Sequence, residues 1–401
     1  MQLEKLNPIE NVPVAGKSVL LRLDLNVPMR DGKIADNTRL VRCFPTIRNL
    51  IERGATVIMI SHMGRPNGKF NSEYSLKPVA EKMTELIAGP EVIFFDDCRG
   101  VNLINKLKAQ RPGSLLLLEN LRFYPEEENN ETSFSQELSS LADIFVNDAF
   151  SSSHRAHASI EGVTKFMPSY AGPQLMAEIE ALRTALEEPR KPVAALVGGA
   201  KVSTKIPILI NLMSKVDILI IGGGMANTFL FAQGVSVGIS LCEVDFKDTA
   251  EEILKASVSQ NCEIVLPVDV VVAAAFEEGV ASTVCSAREV PMDKMILDIG
   301  PHSVQNLKDS LSRCHTLLWN GPLGAFEISP FGEGTFAVAQ EAARQTENNS
   351  LISVAGGGDT VAALNKAGVE DKFTYISTAG GAFLEWLEGR ALPGIVALTR
   401  S

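Results

Sequence analysis

Short apolar runs rich in Leu, Val and Ile alternate with segments of helical length from one end of this chain to the other. Runs this short and this uniformly apolar are strands covered on both faces. Their alternation with helices predicts an α/β fold with mainly parallel sheets. In the first half the pattern predicts strands at Ser18–Leu23, Thr56–Ile60, Val92–Phe95, Leu115–Leu118 and Ile144–Val146. In the second half it predicts Val193–Val197, Ile218–Ile221, Ile264–Leu266, Thr316–Trp319, Leu351–Ala355 and Thr374–Ser377. Between the halves, Leu175, Met176, Ile179, Leu182 and Leu186 recur at helical spacing. Pro173 suits the first turn of that helix, and Pro189 and Pro192 stop it. The expected organisation is two Rossmann-like domains, 1–172 and 173–389, joined by a hinge helix over 173–188.

The residues that follow each strand carry the chemistry, because parallel strands end on one edge and ligands bind outside that edge. In the first half the followers are charged. Asp24-Leu25-Asn26 comes after the first strand, His62-Met63-Gly64-Arg65 after the second and Arg122 after the fourth; Asn147-Asp148 leads on to His154 and Arg155. Arg39 lies in the first turns of the helix after the first strand. Arginine's planar fork suits carboxylate and phosphate, so this rim reads as an anion trap. In the second half the followers are glycine-rich: Gly198-Gly199-Ala200-Lys201, Gly222-Gly223-Gly224, Asn320-Gly321-Pro322, Gly356–Thr360 and Gly380-Gly381. A glycine loop between a strand and a helix offers bare backbone N–H groups to phosphate. Lys201 and Lys205, four residues apart, suit a phosphoryl group in transfer, and Asp359 adds a hard oxygen ligand for Mg²⁺. A histidine such as His154 is more simply a packing residue. Together the two rims suggest a kinase that joins two anions across a cleft.

Other motifs fail their context. Gly16-Lys17-Ser18 ends like a phosphate-binding Walker loop, but Asn11 stands where its first glycine should be and the segment precedes a strand. Gly332, Gly334 and Ala337 match a dinucleotide fingerprint without a preceding strand, which argues against a dehydrogenase. The chain has 401 residues and a net charge of −11, too long for one core and too acidic for general nucleic-acid binding. Six scattered cysteines and five histidines show no zinc spacing, consistent with reduced thiols in a cytoplasmic protein. No apolar run reaches the roughly 18 residues of a membrane span. Glu4, Lys5 and Glu10 argue against a signal peptide.

The strings Leu23–Pro28, Asp36–Arg39, Ser61–Pro66, Glu119–Phe123, Asn147–Ser159, Gly198–Lys205, Trp319–Glu327 and Gly356–Thr360 together resemble phosphoglycerate kinases, in order and over essentially the whole chain. The resemblance implies reversible Mg²⁺-dependent phosphoryl transfer between 1,3-bisphosphoglycerate and ADP, giving 3-phosphoglycerate and ATP, by direct in-line transfer after hinge closure in a monomer. It implies that Asp24, Asn26, Arg39, His62, Met63, Gly64, Arg65, Arg122 and Arg155 bind the glycerate ligand. It implies that Lys201, Lys205, Gly300, Asn320, Leu323, Glu327, Gly357, Gly358, Asp359 and Thr360 bind the nucleotide, with Asp359 on Mg²⁺. Arg39, Lys201, Lys205, Gly357 and Gly380 are the implied catalytic set, and the tail 390–401 returns to the N-terminal domain. Ser151, Ala379 and Phe383 depart from the family pattern, two of them where glycine is usual and Phe383 where a small polar residue is common. The acceptor in the reverse direction is an ionised carboxylate, so no general base is required. Two alternatives from other readings are a related ATP-dependent kinase with another phosphorylated acid as substrate, and an inactive binding protein.

Overall fold

The computed structural model describes residues 6–30 and 32–399. Glu4 and Lys5 lie outside them. Within the described residues the chain divides into two compact units, one running to Ile179 and resuming at Ala391, the other Glu180–Arg390.

The first unit contains β1 (Ser18–Arg22), the short antiparallel pair β2 (Met29–Arg30) and β3 (Lys33–Ile34), then β4 (Thr56–Ile60), β5 (Val92–Phe95), β6 (Leu115–Leu118), β7 (Ile144–Asn147) and β8 (Ser169–Ala171). Six of these form one parallel sheet in the order β5-β6-β4-β1-β7-β8. Successive side chains point to opposite faces, so one apolar run feeds two cores. Val19, Leu21, Val57, Met59, Leu115 and Leu117 pack on one face. Leu20, Ile58, Ile60, Leu116, Leu118 and Phe145 pack on the other. Strand order reverses between β1 and β7, which places the crevice of the sheet at Arg22–Asn26 and Asn147–Ser151. The C-terminal helix Pro393–Leu398 belongs to this unit and lies against the turn Ala158–Gly162, with Gly394 N–H donating to Ser153 O at 2.9 Å.

The second unit contains β9 (Val193–Val197), β10 (Ile218–Ile221), β11 (Glu263–Val265), β12 (Asp269–Ala273), β13 (Ser282–Ser286), β14 (Met295–Ile299), β15 (Thr316–Asn320), β16 (Ile352–Gly356) and β17 (Tyr375–Ser377). Its parallel sheet runs β11-β10-β9-β15-β16-β17, reversing between β9 and β15. Ala194, Leu196, Ile220, Leu317 and Trp319 share one buried face.

Strands predicted from apolar runs fall within a residue or so of those observed, and the differences have local causes. β1 ends at Arg22, one residue before the predicted end at Leu23, while β7 and β15 extend through Asn147 and Asn320. β8 is a short edge strand without an apolar signal. β13, β12 and β14 form a separate antiparallel sheet, whose outer strand β13 is largely exposed and therefore polar. The helix expected over 173–188 is α-helical only for Pro173–Leu182 and continues as a π-turn at Arg183–Glu187. Its start is held by buried Asp148, whose Oδ1 accepts Gln174 N–H at 2.8 Å and Leu175 N–H at 3.0 Å while Oδ2 accepts Thr46 Oγ1–H at 2.6 Å. A Cβ at Gly172 would collide with that carboxylate. The first turns are thereby tied into the first unit, and the units part at Ile179/Glu180 instead of at Gly172-Pro173.

Candidate active site

The charged rim of the first unit is built by loops that brace one another. Ser61 Oγ accepts Leu25 N–H at 3.0 Å and donates to Leu23 O at 2.8 Å, joining the loops after β1 and β4. Buried Asn120 accepts Met63 N–H at 3.2 Å and Arg122 N–H at 3.0 Å and donates to Met63 O at 2.8 Å. Asn26 Oδ1 accepts Gly64 N–H at 2.9 Å. On this frame Arg39 donates to both Asp24 oxygens, at 3.1 and 2.9 Å, and to Asn26 O at 2.9 Å. Ser151 Oγ donates to the same Asp24 carboxylate at 2.6 Å, so the residue at this departure from the family pattern takes part in the Asp24–Arg39 pair. Arg122 donates to Gly64 O at 2.9 Å and its Nε lies 3.3 Å from the Glu128 carboxylate. Arg65 and Arg155 are exposed. Burial lowers the pKa of Arg122, and the neighbouring charges of Arg65 and Arg155 lower it further. His62 is held well below the ordinary histidine range by burial, then by Arg22 and Arg122. Arg39 and Arg122 lie near enough to act on His62, and Arg65 and Arg155 near enough to act on Arg122, so the five residues share one patch.

Arg22 was not among the residues expected from sequence. It closes the otherwise apolar run Ser18-Val19-Leu20-Leu21-Arg22, is 1% exposed, and donates through Nη2 to His62 Nδ1 at 3.0 Å. A cation ending a fully buried strand was the available signal, since a buried charge persists only when it is paired.

In the second unit, the loops at the β9/β15 reversal approach too closely for side chains. A Cβ at Gly198 would strike Pro322 O, and Gly198 N–H donates to Asn320 O at 2.9 Å. Gly357, at φ +101°, occupies a conformation that L side chains rarely adopt. Around these glycines lies a cavity of about 340 Å³ lined by Lys201, Lys205, Asn320, Gly357, Gly358, Asp359 and Thr360. It shares Gly199, Ala200, Pro322 and Asp359 with a largely apolar pocket of about 560 Å³ that includes Leu323, Glu327, Asp298 and Ile299. Gly300 does not line either cavity: it is buried, and its missing Cβ makes room for Asp269.

Several expected ligand contacts are engaged within the protein. Lys205 Nζ donates to Asn320 Oδ1, and Asn320 Nδ2 donates to Gly356 O at 2.7 Å. Thr360 Oγ1 accepts Gly321 N–H at 2.7 Å and donates to Gly356 O at 2.9 Å. Asn320 and Thr360 therefore fix the cavity wall and aim Lys205. Burial lowers the Lys205 pKa to about 8, with Asp359 acting the other way. The helix Gly380–Leu387 reaches the cavity through Leu384, while Gly380 does not line it. Phe383 is fully buried with its ring close beneath Gly356, a fit that requires glycine there. Ala379 has a negative φ, −94°, so the backbone there does not adopt the left-handed conformation that favours glycine.

A glycine-framed cavity with two lysines, opening into an apolar pocket large enough for a nucleoside, is the equipment of a nucleotide-dependent phosphotransferase, and the chain falls in that class. The sequence profile of the family described as phosphoglycerate kinase matches residues 9–390. The chain is 55% identical over 390 residues to the phosphoglycerate kinase of Rhodopseudomonas palustris, covering 97% of this chain and 98% of that one. It is 54% identical over 387 residues to that of a Chelativorans species, covering 96% and 97%. The structure of phosphoglycerate kinase from Coxiella burnetii matches with a TM-score of 0.92 at 45% identity, covering 98% of this chain and 99% of that one. The chain belongs to the phosphoglycerate kinase family.

Proposed function

We propose that this chain catalyses reversible phosphoryl transfer between the acyl phosphate of 1,3-bisphosphoglycerate and ADP, yielding 3-phosphoglycerate and ATP. The observation that carries the reading is the division of labour: a cluster of arginines in one unit and a glycine-framed cavity with two lysines in the other. Arg65, Arg122 and Arg155, with His62 and Asn26, bind the carboxylate and phosphate of the glycerate ligand; Asp24 binds its hydroxyl and orients Arg39. The apolar pocket with Leu323 takes the base and Glu327 the ribose. Lys201, Lys205 and the backbone of Gly357 and Gly358 take the phosphates.

Asp359 lines the glycine-framed cavity and would hold a divalent cation there beside the nucleotide phosphates; among the described residues no group of three or more His, Cys, Asp or Glu side chains could hold one by itself. That arrangement suits Mg²⁺, which keeps most of its shell as water and phosphate. Bound there, Mg²⁺ supplies charge neutralisation on the nucleotide phosphates. Catalysis otherwise consists of alignment and electrostatic stabilisation. Arg39 and Lys205 bear on the phosphoryl group in flight, and no residue needs to remove a proton. Direct transfer between ligands held by separate units requires hinge closure, which also keeps water from the acyl phosphate.

The test is ATP consumption with 3-phosphoglycerate and Mg²⁺, with the acyl phosphate trapped by hydroxylamine. Turnover that needs all three components is the expected outcome. Binding of ATP with no binding of 3-phosphoglycerate would sink the substrate assignment.

A further inference from the structure

Behind the arginine patch lies a buried carboxylate with no role so far. Glu127 sits in the short helix Pro125–Glu128 with no exposed surface. Its Oε2 accepts Ser159 N–H at 2.9 Å and its Oε1 accepts Ser159 Oγ–H at 2.6 Å. Ser159 Oγ in turn accepts Arg22 Nε–H at 3.1 Å. Arg22 donates from Nη1 to Leu23 O and from Nη2 to His62 Nδ1 at 3.0 Å. One continuous line thus joins the loop bearing Arg122, the segment that carries Arg155 and His157, the end of β1, and His62.

The direction of each bond follows from chemistry. A guanidinium only donates, so Nδ1 of His62 is the acceptor. Burial and the surrounding arginines disfavour protonation of that ring, which leaves the proton on Nε2. His157, whose Nδ1 lies 3.8 Å from Glu127, is likewise lowered by burial and by Arg122 and Arg22, to about 3. Glu127 is the fully buried carboxylate among these cations. Burial raises its pKa, while Arg22, the Ser159 hydrogen bonds and Arg122 favour its charged form.

We propose that Glu127 is a positioning residue for the anion site, acting through Ser159 and Arg22 to fix the His62 ring with Nε2–H as the donor offered to the ligand and to hold the segment that carries Arg155. The proposal rests on the glycerate-site reading above. It gives Arg22 a purpose beyond charge: the arginine transmits orientation from one loop to another. A buried cation anchored at three of its N–H groups cannot rotate away when an anion binds, so the site is arranged before the ligand arrives.

The experiment is steady-state kinetics of Glu127→Gln, Ser159→Ala and the double variant, with Arg65→Ala as the reference for the site itself. Glu127→Gln is expected to raise KM for 3-phosphoglycerate about tenfold, the scale of one lost charge-assisted hydrogen bond, with KM for ATP within about twofold of wild type. Ser159→Ala is expected to shift the same parameter. The double variant is expected to be no worse than Glu127→Gln, because the two act in one chain of contacts. Additive losses, or equal losses toward both substrates, would overturn the proposal. A raised KM in Arg65→Ala with none in Glu127→Gln would overturn the positioning role and leave the glycerate site standing; no change in either would remove that site. Should Glu127→Gln fail to fold, ¹⁵N NMR of the histidines in the wild-type protein decides. An unprotonated Nδ1 and protonated Nε2 at His62 support the relay, and the opposite tautomer or an imidazolium overturns it.

Discussion

Arg39 and Lys205, the two side chains proposed to bear on the phosphoryl group, are each held by neighbours on the protein. Arg39 is pinned to Asp24 and Asn26 by three hydrogen bonds, so its charge is fixed in place. Arg39→Ala should lower kcat by a hundredfold or more, the scale of a lost charge-stabilising donor (~10²-fold), and leave the ATP Kd nearly unchanged. Steady-state kinetics with calorimetric ATP titration would show this, and equal losses in both would deny Arg39 a selective role in the transition state. Lys205 is half-buried and carries a pKa of about 8, below the ordinary lysine value because of burial. Its lowered pKa means that its charge is complete well below pH 8 and lost as pH rises above it. ATP affinity should therefore weaken from pH 7 to pH 9, and Lys205→Met should bind ATP weakly with that pH dependence gone. An unaltered slope in the variant would assign the titration to another group. The lysines, arginines and Asp359 were legible as residues because each follows an apolar strand. Arg22 gave only the signal of a cation closing an apolar strand and Glu127 gave none, because what they do depends on their burial around Ser159 across separate segments.

At the scale of elements, glycine geometry and buried caps decide how well the nucleotide cavity is formed. Gly357 has φ +101°, and a Cβ there would lie 2.7 Å from Asn320 Nδ2. Gly357→Ala should destabilise the second unit by about 1–3 kcal/mol and raise KM for ATP, since the same side chain of Asn320 holds Lys205. Thermal unfolding and KM for ATP measured on the one variant would check both. Asp298 lines the apolar pocket and caps the helix Glu333–Glu347, its Oδ2 accepting Gly334 N–H at 2.8 Å. Burial raises its pKa from 3.8 to about 7. A carboxyl raised on folding contributes stability that is full below its unfolded value and lost as pH rises through the folded one. Against Asp298→Asn, which keeps an acceptor for Gly334, the wild type should therefore gain stability as pH falls from 8 toward 4. Urea unfolding at several pH values would show it, and a constant difference between the two would refute it. Apolar runs marked the parallel strands because both faces are covered. They missed the antiparallel sheet β13-β12-β14, where one side meets solvent, and they did not reveal that the helix after Pro173 loosens into a π-turn at Arg183.

At the scale of the whole molecule, each of the two α/β units has a point where strand order reverses, and loops of its candidate site lie there. In the first unit this is β1/β7, with Asp24 and Asn26 beyond β1; in the second it is β9/β15, with Gly198 beyond β9 and Gly321 beyond β15. If Asp359 holds Mg²⁺ in the second unit alone, Asp359→Ala should weaken Mg²⁺-nucleotide binding at least tenfold and leave 3-phosphoglycerate binding intact. Loss of glycerate binding instead would overturn the assignment of ligands to units.

The sequence by itself determined the α/β class, nearly every parallel strand, the charged and glycine-rich rims, and the family. It could do so because strand burial and phosphate chemistry impose residue types at local spacing. Only the tertiary structure decided what those residues do to one another. It showed that Asn320 and Thr360 spend their polar atoms on the cavity wall, that Gly300 makes room for Asp269, and that the units part at Ile179. It also showed that Glu127 reaches His62 through Ser159 and Arg22. These are contacts between residues distant in the chain, set by packing and burial, and no local pattern encodes them.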